Sequence, residues 1–288
     1  MPRIAVTLGD PAGIGPEVVD AAMKSGLLPK DVEWQRLGTT EGVLPGQPDE
    51  TSAKIALDAL QEATRLLTEG EVDGVVTGPV SKDGLQGLGF GFPGQTEFFA
   101  GALNTEEYGM LLTGDHLSVG LATIHEPLSR VASLLDAASI VRIGKLTATF
   151  IQHRKLGSPR IAVCGLNPHA GEQGRFGDEE ERIIAPAIAE LNALHIGEFS
   201  GPHVPDAVFR EAAQGHFDAV IAMYHDQGLI PLKLLDFESA VNVTLGLPKP
   251  RTSPDHGTAY DIAGKGIANP SSMIAAMKLC AELCVGQG

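Results

Sequence analysis

Cysteine is scarce in this chain. Three in 288 residues cannot all pair, and none sits in a Cys-x-x-Cys arrangement, which argues against a disulfide framework and leaves Cys164, Cys280 and Cys284 as buried thiols. Positive charge is scarce too: 21 Lys and Arg against 36 Asp and Glu give a net charge of −15, with no basic block. Nucleic-acid binding rests on neutralising phosphates with basic side chains, so no nucleic-acid partner is expected. No apolar run approaches the roughly 18 residues that a membrane span needs. The amino terminus, MPRIAVTLGD, enters a strand pattern after three residues and lacks a signal-peptide layout, so a cytoplasmic location with no membrane partner is expected. Repeats and low-complexity tracts are absent, and the loop GDPAGIGPE after the first strand is neither a G-x-G-x-x-G nor a Walker sequence.

What is there is a chain that can bury a core, with 43% apolar residues, and its length predicts about two domains with a cleft. Strand and helix patterns alternate. Strands are expected at Ile4–Leu8, Gly74–Thr77, Met110–Leu112, Val119–Thr123, Arg160–Cys164 and Asp218–Met223, with helices from Pro16, over Ser52–Leu67 and over Ser271–Val285. That alternation predicts an α/β fold with a largely parallel sheet. The clearest loops are Gly38–Thr51 and the glycine-rich Gly84–Gly94, with a domain crossing just beyond the second. One domain is expected to span 1–97 with 261–288, the last helix packing back onto it, and the other 98–260, carrying most of the ligands.

Several motifs sit at expected strand ends, where open α/β sheets bind ligands. GDPAGIGPE opens a helix after the first strand, and reads equally as an anion-facing loop or a turn that needs glycine. TGPVSK adds Lys82 at another strand end. His125 (GLATIHEPLS), His169 (AVCGLNPHAGEQG) and His225 (AMYHDQG) each follow an apolar strand. Isolated histidines are more often structural, but three in matching positions suit one divalent metal with coordination sites left open, and Asp206 and Asp226 could orient or join them. Zinc, cobalt or nickel would suit three imidazoles, and magnesium or manganese a site with added carboxylates. His116, His153, His195, His203 and His216 lack this setting and are read as surface or local structural groups. Lys233, Asn242 and Arg251 follow at nine-residue intervals, and two cations with an amide suit a phosphate or carboxylate.

Taken together, GDPAGIGPE, TGPVSK, GQTEFF, LATIHEPL, CGLNPHAGEQG, AMYHDQGLIPLK, VNVTLGLP and RTSPDHGTAYDIAGKG resemble the 4-hydroxythreonine-4-phosphate dehydrogenase family of vitamin B6 synthesis, from the first strand to the last helix. The resemblance implies that His125, His169 and His225 are the metal ligands and that Thr96, Lys233, Asn242 and Arg251 contact substrate. It also implies a homodimer with the active site at the subunit interface, His225 reaching the metal of the other chain. DHGTAYDIAGKGIANP is similar to the adenosine loop of isopropylmalate and isocitrate dehydrogenases. That likeness implies two α/β/α domains around a cleft with non-Rossmann NAD binding. His256, Gly257 and Ala259 would lie at the adenine, Asp261 at the ribose and Asn269 at the base. A carboxylate at the ribose would repel a 2′-phosphate and favour NAD over NADP. Two departures stand out: Gln95 in GQTE where the family has His, and a short Gly38–Thr51 region.

The activity implied is NAD- and metal-dependent oxidation of 4-phosphohydroxy-L-threonine at C3, followed by loss of the carboxylate to give 3-amino-2-oxopropyl phosphate. The proton acceptor stays open among Lys233, Asp206 and a metal-bound water, with Asp226 adjoining His225. Rival readings are a same-family dehydrogenase of 4-phosphoerythronate, a phosphothreonate or a dihydrodiol, and, from another class, a metal-dependent phosphoester hydrolase. A non-catalytic protein that binds a phosphometabolite would have no evident need for three aligned His.

Overall fold

The computed structural model describes residues 1–155 and 157–285. In chain order the elements are β1 (Arg3–Thr7), α1 (Gly15–Lys24), β2 (Glu33–Leu37), α2 (Glu50–Glu69), β3 (Gly74–Thr77), α3 (Lys82–Gly87) and α4 (Gln95–Ala102). There follow β4 (Gly109–Thr113), β5 (Ser118–Leu121), α5 (Leu128–Leu134), α6 (Ala137–Arg154), β6 (Arg160–Cys164), α7 (Ala185–Ala193), β7 (Glu198–His203), α8 (Pro205–Ala213), β8 (Ala219–Ala222) and α9 (His225–Asp236). The chain closes with β9 (Val241–Leu245), β10 (Arg251–Pro254) and α10 (Ser271–Val285).

These elements form two compact units, Met1–Glu106 with the chain from Glu238 onward, and Glu107–Phe237. The first holds strands in the order β2-β1-β3-β10-β9, parallel except for β9 against β10. Its helix α2 illustrates why the sequence folds this way. Ala53, Ala56, Leu60, Ala63 and Leu67 recur at helical spacing and are buried, with α2 packed against β1 and β3. Asp49 caps the start by accepting from the Ser52 backbone N–H at 2.8 Å while Ser52 Oγ accepts from Asp49 N–H, and Gly70 ends the helix at φ 74°. As expected, α10 packs on β3 and β10.

The second unit orders its strands β4-β5-β8-β6-β7, parallel except for β4 against β5. The strands β8 and β6 are buried along almost their whole lengths, as parallel strands covered on both faces should be. The expected strand Asp218–Met223 is the central strand β8.

Two expectations on organisation differ from what is found. The units divide at 106/107 and 237/238 rather than at 97/98 and 260/261, because β9 and β10 pair back toward β3 and belong to the first sheet. The glycine-rich stretch Gly84–Gly94 is helical up to Gly87, since Ser81 Oγ accepts from Gly84 N–H at 3.2 Å and caps α3.

Candidate active site

Within the second unit, β5, β8 and β6 are adjacent and parallel, so the segments that follow them leave by one edge. Those segments carry His125, His225 and His169. The rings of His125 and His225 lie 5.4 Å apart, centroid to centroid. Two imidazoles sharing one tetrahedral ion through metal–nitrogen bonds of about 2.0–2.1 Å would have their centroids roughly 5 Å apart, so this pair fits a common metal. His225 Nδ1 lies 2.7 Å from Asp226 Oδ1, so the carboxylate next to it in sequence also contacts its ring.

His169 does not join the pair. It sits in a 3-10 turn, Pro168–Gly171, with φ 53°, and its neighbours Ala170, Glu172 and Gln173 are also left-handed, at φ 50°, 42° and 57°. Such conformers are strained for residues other than glycine, of order 1–2 kcal/mol each. They are held by a clamp: buried Glu180, in a π-helical turn ahead of α7, accepts from the N–H groups of Leu166 (2.8 Å) and Asn167 (2.7 Å) and from Asn167 Nδ2 (3.0 Å). The His169 ring is exposed, 6.0 Å from that of Phe176. Among the described residues of the single chain, no three His, Cys, Asp or Glu side chains come together to hold a metal. Asp206 is exposed in the first turn of α8, which packs on the His169 turn. Lys233, eight residues beyond His225 on α9, lies ~12 Å further along the helix axis.

In the first unit the centre is Arg251. Only 3% exposed, it spans three elements: Nε and Nη2 donate to Thr77 Oγ1 (3.1 and 2.6 Å), Nη1 to Thr244 Oγ1 (3.1 Å) and Nη2 to Gln95 Oε1 (3.0 Å). Its guanidinium also lies 5.8 Å from the Phe99 ring. Burial pushes the group down to about 10, only partly opposed by the more distant Glu97 charge. A buried cation whose hydrogen-bond partners are all neutral is a site poised for an anion. Thr96 is buried beside Gln95 in the first turn of α4. The β9–β10 register sets Thr244 opposite Arg251 and Asn242 opposite Ser253, so Asn242 shares a face with Arg251. Its Oδ1 is buried with no hydrogen-bond partner among the described residues.

The segment after β10 is anchored to the GDPAGIGPE turn. Glu17 accepts from Gly264 N–H (2.9 Å) and Ala268 N–H (3.2 Å), Ile14 N–H donates to Thr258 O (2.8 Å), and Tyr260 Oη donates to Asp10 Oδ2 (2.7 Å). Burial and the Asp10 contact push the Tyr260 hydroxyl up to about 12. A Cβ on Gly13 would meet Thr258 O at 2.6 Å, so the motif's glycine serves close approach of two backbones. Of the expected cofactor residues, His256 Nε2 is buried with no hydrogen-bond partner among the described residues, Gly257 and Asp261 are exposed, Ala259 is left-handed at φ 43°, and Asn269 Oδ1 accepts from Ser271 N–H. The orphaned His256 ring nitrogen is a polar atom that a ligand could satisfy.

Sequence reasoning passed over Thr77, Thr244 and Glu180. In TGPVSK it singled out Lys82, which is exposed in the first turn of α3, whereas the engaged residue is the motif's first, Thr77. A Thr at a buried strand end near an Arg was the available signal.

Comparison with known proteins places these features. The family model "Pyridoxal phosphate biosynthetic protein PdxA" matches residues 17–280. A protein of Erythrobacter litoralis named 4-hydroxythreonine-4-phosphate dehydrogenase is 45% identical, over 97% of this chain and 96% of its own. The crystal structure of 4-hydroxythreonine-4-phosphate dehydrogenase from Klebsiella pneumoniae superposes with a TM-score of 0.83 at 36% identity, covering 99% of this chain and 100% of that one. Isocitrate dehydrogenase from Methylococcus capsulatus, at 20% identity and a TM-score of 0.56 over 100% of this chain and 86% of that one, shares the fold. The α/β architecture expected from the sequence is therefore that of the isocitrate dehydrogenase group, and the rival hydrolase reading is set aside. The chain is an oxidoreductase and belongs to the PdxA family of pyridoxal phosphate biosynthetic proteins.

Proposed function

We propose that the enzyme oxidises 4-phosphohydroxy-L-threonine with NAD in pyridoxal phosphate synthesis, and that Arg251 receives an anionic group of that substrate. The observation that carries this reading is the buried Arg251 guanidinium held by neutral oxygens alone, beside Gln95, Thr96 and the orphaned Asn242 amide oxygen. Lys233 is assigned to the same substrate on the family likeness.

A divalent metal, when bound, would acidify the substrate hydroxyl, and NAD would accept the hydride from C3. His125, His169 and His225 are assigned as the metal donors, with Asp226 beside the His225 ring. On the family likeness the active species is a homodimer with the active site at the subunit interface, His225 reaching the metal of the other chain. Support comes from α9: the helix that opens with His225 leaves Ile230 61%, Leu234 80% and, just beyond its end, Phe237 72% exposed. Spaced four and three residues apart, these form one apolar stripe that a partner subunit would cover.

His256, Gly257, Ala259, Asp261 and Asn269 are assigned to the adenosine half of NAD, on a segment fixed by Glu17 and Asp10. When bound, NAD would accept the hydride, and Lys233 and Asp206 are the candidates among this chain's residues to take the hydroxyl proton. The resulting β-keto acid loses its carboxylate as carbon dioxide, leaving 3-amino-2-oxopropyl phosphate. No helix among the described residues is long and apolar enough to cross a membrane, which agrees with the proposed cytoplasmic setting.

A specific feature favours a second substrate reading. Gln95 spends its oxygen on Arg251 and adds no charge, so a related phosphorylated hydroxy acid, 4-phosphoerythronate or a phosphothreonate, would fit the same anion site. The test is NADH formation from each compound before and after chelation and metal readdition. Chelator-sensitive turnover of 4-phosphohydroxy-L-threonine supports the first reading, turnover of another acid alone selects the second, and metal-independent turnover overturns the metal assignment.

A further inference from the structure

A guanidinium carries five N–H donors and accepts nothing, so its bonds can be counted. In Arg251, Nε–H and one Nη2–H go to Thr77 Oγ1 at 3.1 and 2.6 Å, the other Nη2–H to Gln95 Oε1 at 3.0 Å, and one Nη1–H to Thr244 Oγ1 at 3.1 Å. A single Nη1–H is left without a partner among the described residues. A phosphate or carboxylate is gripped best by two parallel N–H groups of an arginine. Arg251 has only one to spare, so a second must be released by an acceptor that now holds it.

The three acceptors are not equally free to leave. Thr77 is buried at the end of β3, where it pairs with Thr7, and takes two of the bonds. Thr244 is buried on β9, directly opposite Arg251 in the strand register. A threonine hydroxyl turns about one stiff torsion, and with the backbone fixed in a sheet neither can retreat far. Gln95 differs on each count. It is half-buried, stands at the first position of α4, and swings on a long, unbranched side chain. Its other tether is weak: Nε2 donates to Gly78 O at 3.4 Å, past the usual range of about 2.7–3.2 Å.

The neighbours also dictate which end of the amide faces Arg251, since the guanidinium can only donate and Gly78 O can only accept. The Gln95 oxygen thus holds a place on the cation that would suit an oxyanion. It satisfies a buried N–H that would otherwise be costly to leave unpaired. It does so without charge, and a guanidinium binds a charged oxygen more strongly than a neutral one, so an arriving oxyanion wins the exchange.

We propose that Gln95 is a stand-in acceptor, whose amide oxygen pairs with Arg251 until an oxyanion displaces it. Gln95 is then a specificity-determining residue: phosphate or carboxylate outcompetes it and gains two N–H groups, whereas a neutral hydroxyl or amide does not. The proposal rests on the reading above that Arg251 receives an anion.

The test is inorganic phosphate affinity, by titration calorimetry on the full-length protein and its Gln95→Ala, Gln95→Glu and Arg251→Met variants. Removing the stand-in should tighten phosphate binding about fivefold in Gln95→Ala, which corresponds to one net hydrogen bond of about 1 kcal/mol. Gln95→Glu supplies a charged acceptor that phosphate cannot readily displace, and should weaken binding about tenfold or more. Phosphate bound no tighter by folded Gln95→Ala than by the parent overturns the proposal. Binding that survives Arg251→Met, or that is missing from the parent and Gln95→Ala alike, overturns the anion reading instead. A further measurement needs no variant: in crystals of the parent protein grown with phosphate, a phosphate oxygen should stand on Arg251 Nη2 with the Gln95 oxygen turned away. Phosphate on Arg251 with the Gln95 oxygen still bonded to Nη2 refutes the stand-in role even if the variants misfold.

Discussion

Arg251→Met separates the cost of a buried charge from its use. In the folded chain burial depresses the guanidinium from its ordinary value to about 10, a change worth about 3 kcal/mol at 1.36 kcal/mol per pKa unit. The folded value lies below the unfolded one, so the cation opposes folding throughout the neutral range. That penalty is relieved only as pH rises above about 10. Methionine removes the penalty but also four hydrogen bonds, two to Thr77 and one each to Thr244 and Gln95, worth about 1 kcal/mol apiece, so the two effects nearly cancel. Chemical denaturation of the variant without ligand should therefore give a stability within about 1 kcal/mol of the parent. Anion binding has no such compensation. Truncating one partner of a buried charge pair typically costs 2–5 kcal/mol, so KM for the phosphorylated substrate should rise about 100-fold, and the thermal stabilisation given by inorganic phosphate should vanish. A variant that loses about 3–5 kcal/mol without ligand, as when a buried ion pair is broken, yet keeps its response to phosphate would refute the assignment of Arg251 as an anion receptor.

Leu234→Glu puts a charge in the exposed stripe of α9, and sedimentation should show a monomer with little turnover; an intact, active dimer would place the interface elsewhere. Glu17→Ala frees the N–H groups of Gly264 and Ala268, and is expected to raise KM for NAD several-fold with KM for substrate unchanged; equal effects on both would count against a nucleotide role for that segment. His116 Nδ1 lies 2.6 Å from buried Asp236, and this hydrogen bond and charge hold the imidazole above its ordinary value. A raised folded value means that the contribution is complete below the unfolded value of about 6.5 and fades as pH climbs through the folded one. The stability difference between parent and His116→Gln should accordingly shrink with rising pH, and a constant difference would exclude the charged pair.

Much of the fold was legible because it depends on local pattern. Arg160–Cys164 and Gly74–Thr77 read as strands from apolar runs between breakers, and each holds to the residue. The positions of three histidines beyond strand ends were legible for the same reason. What the pattern could not carry was partnership. The division between units was misplaced because β9 and β10 pair across a long sequence separation, which no window registers. The capping of α3 by Ser81 overrode a run of glycines. The left-handed turn at His169 depends on Glu180, eleven residues downstream and unremarkable in composition.

Charge gives these pieces a common logic. The net charge of −15 repels anions, but between exposed groups that field is screened beyond about 8 Å at physiological ionic strength. Arg251, buried and surrounded by hydroxyls, an amide and the Phe99 ring, is screened far less, so its attraction acts where the acidic surface no longer competes. The same acidic background favours cations near the exposed His125 and Asp226. On the proposed reading, a surface of one sign with one buried cation among the described residues would serve a metal and a phosphate at once, provided the buried charge has no carboxylate of its own to satisfy it. Among the described residues Arg251 has none within ion-pair distance, and under the proposed assignment its reliance on threonine hydroxyls is what would leave it open to an acidic substrate.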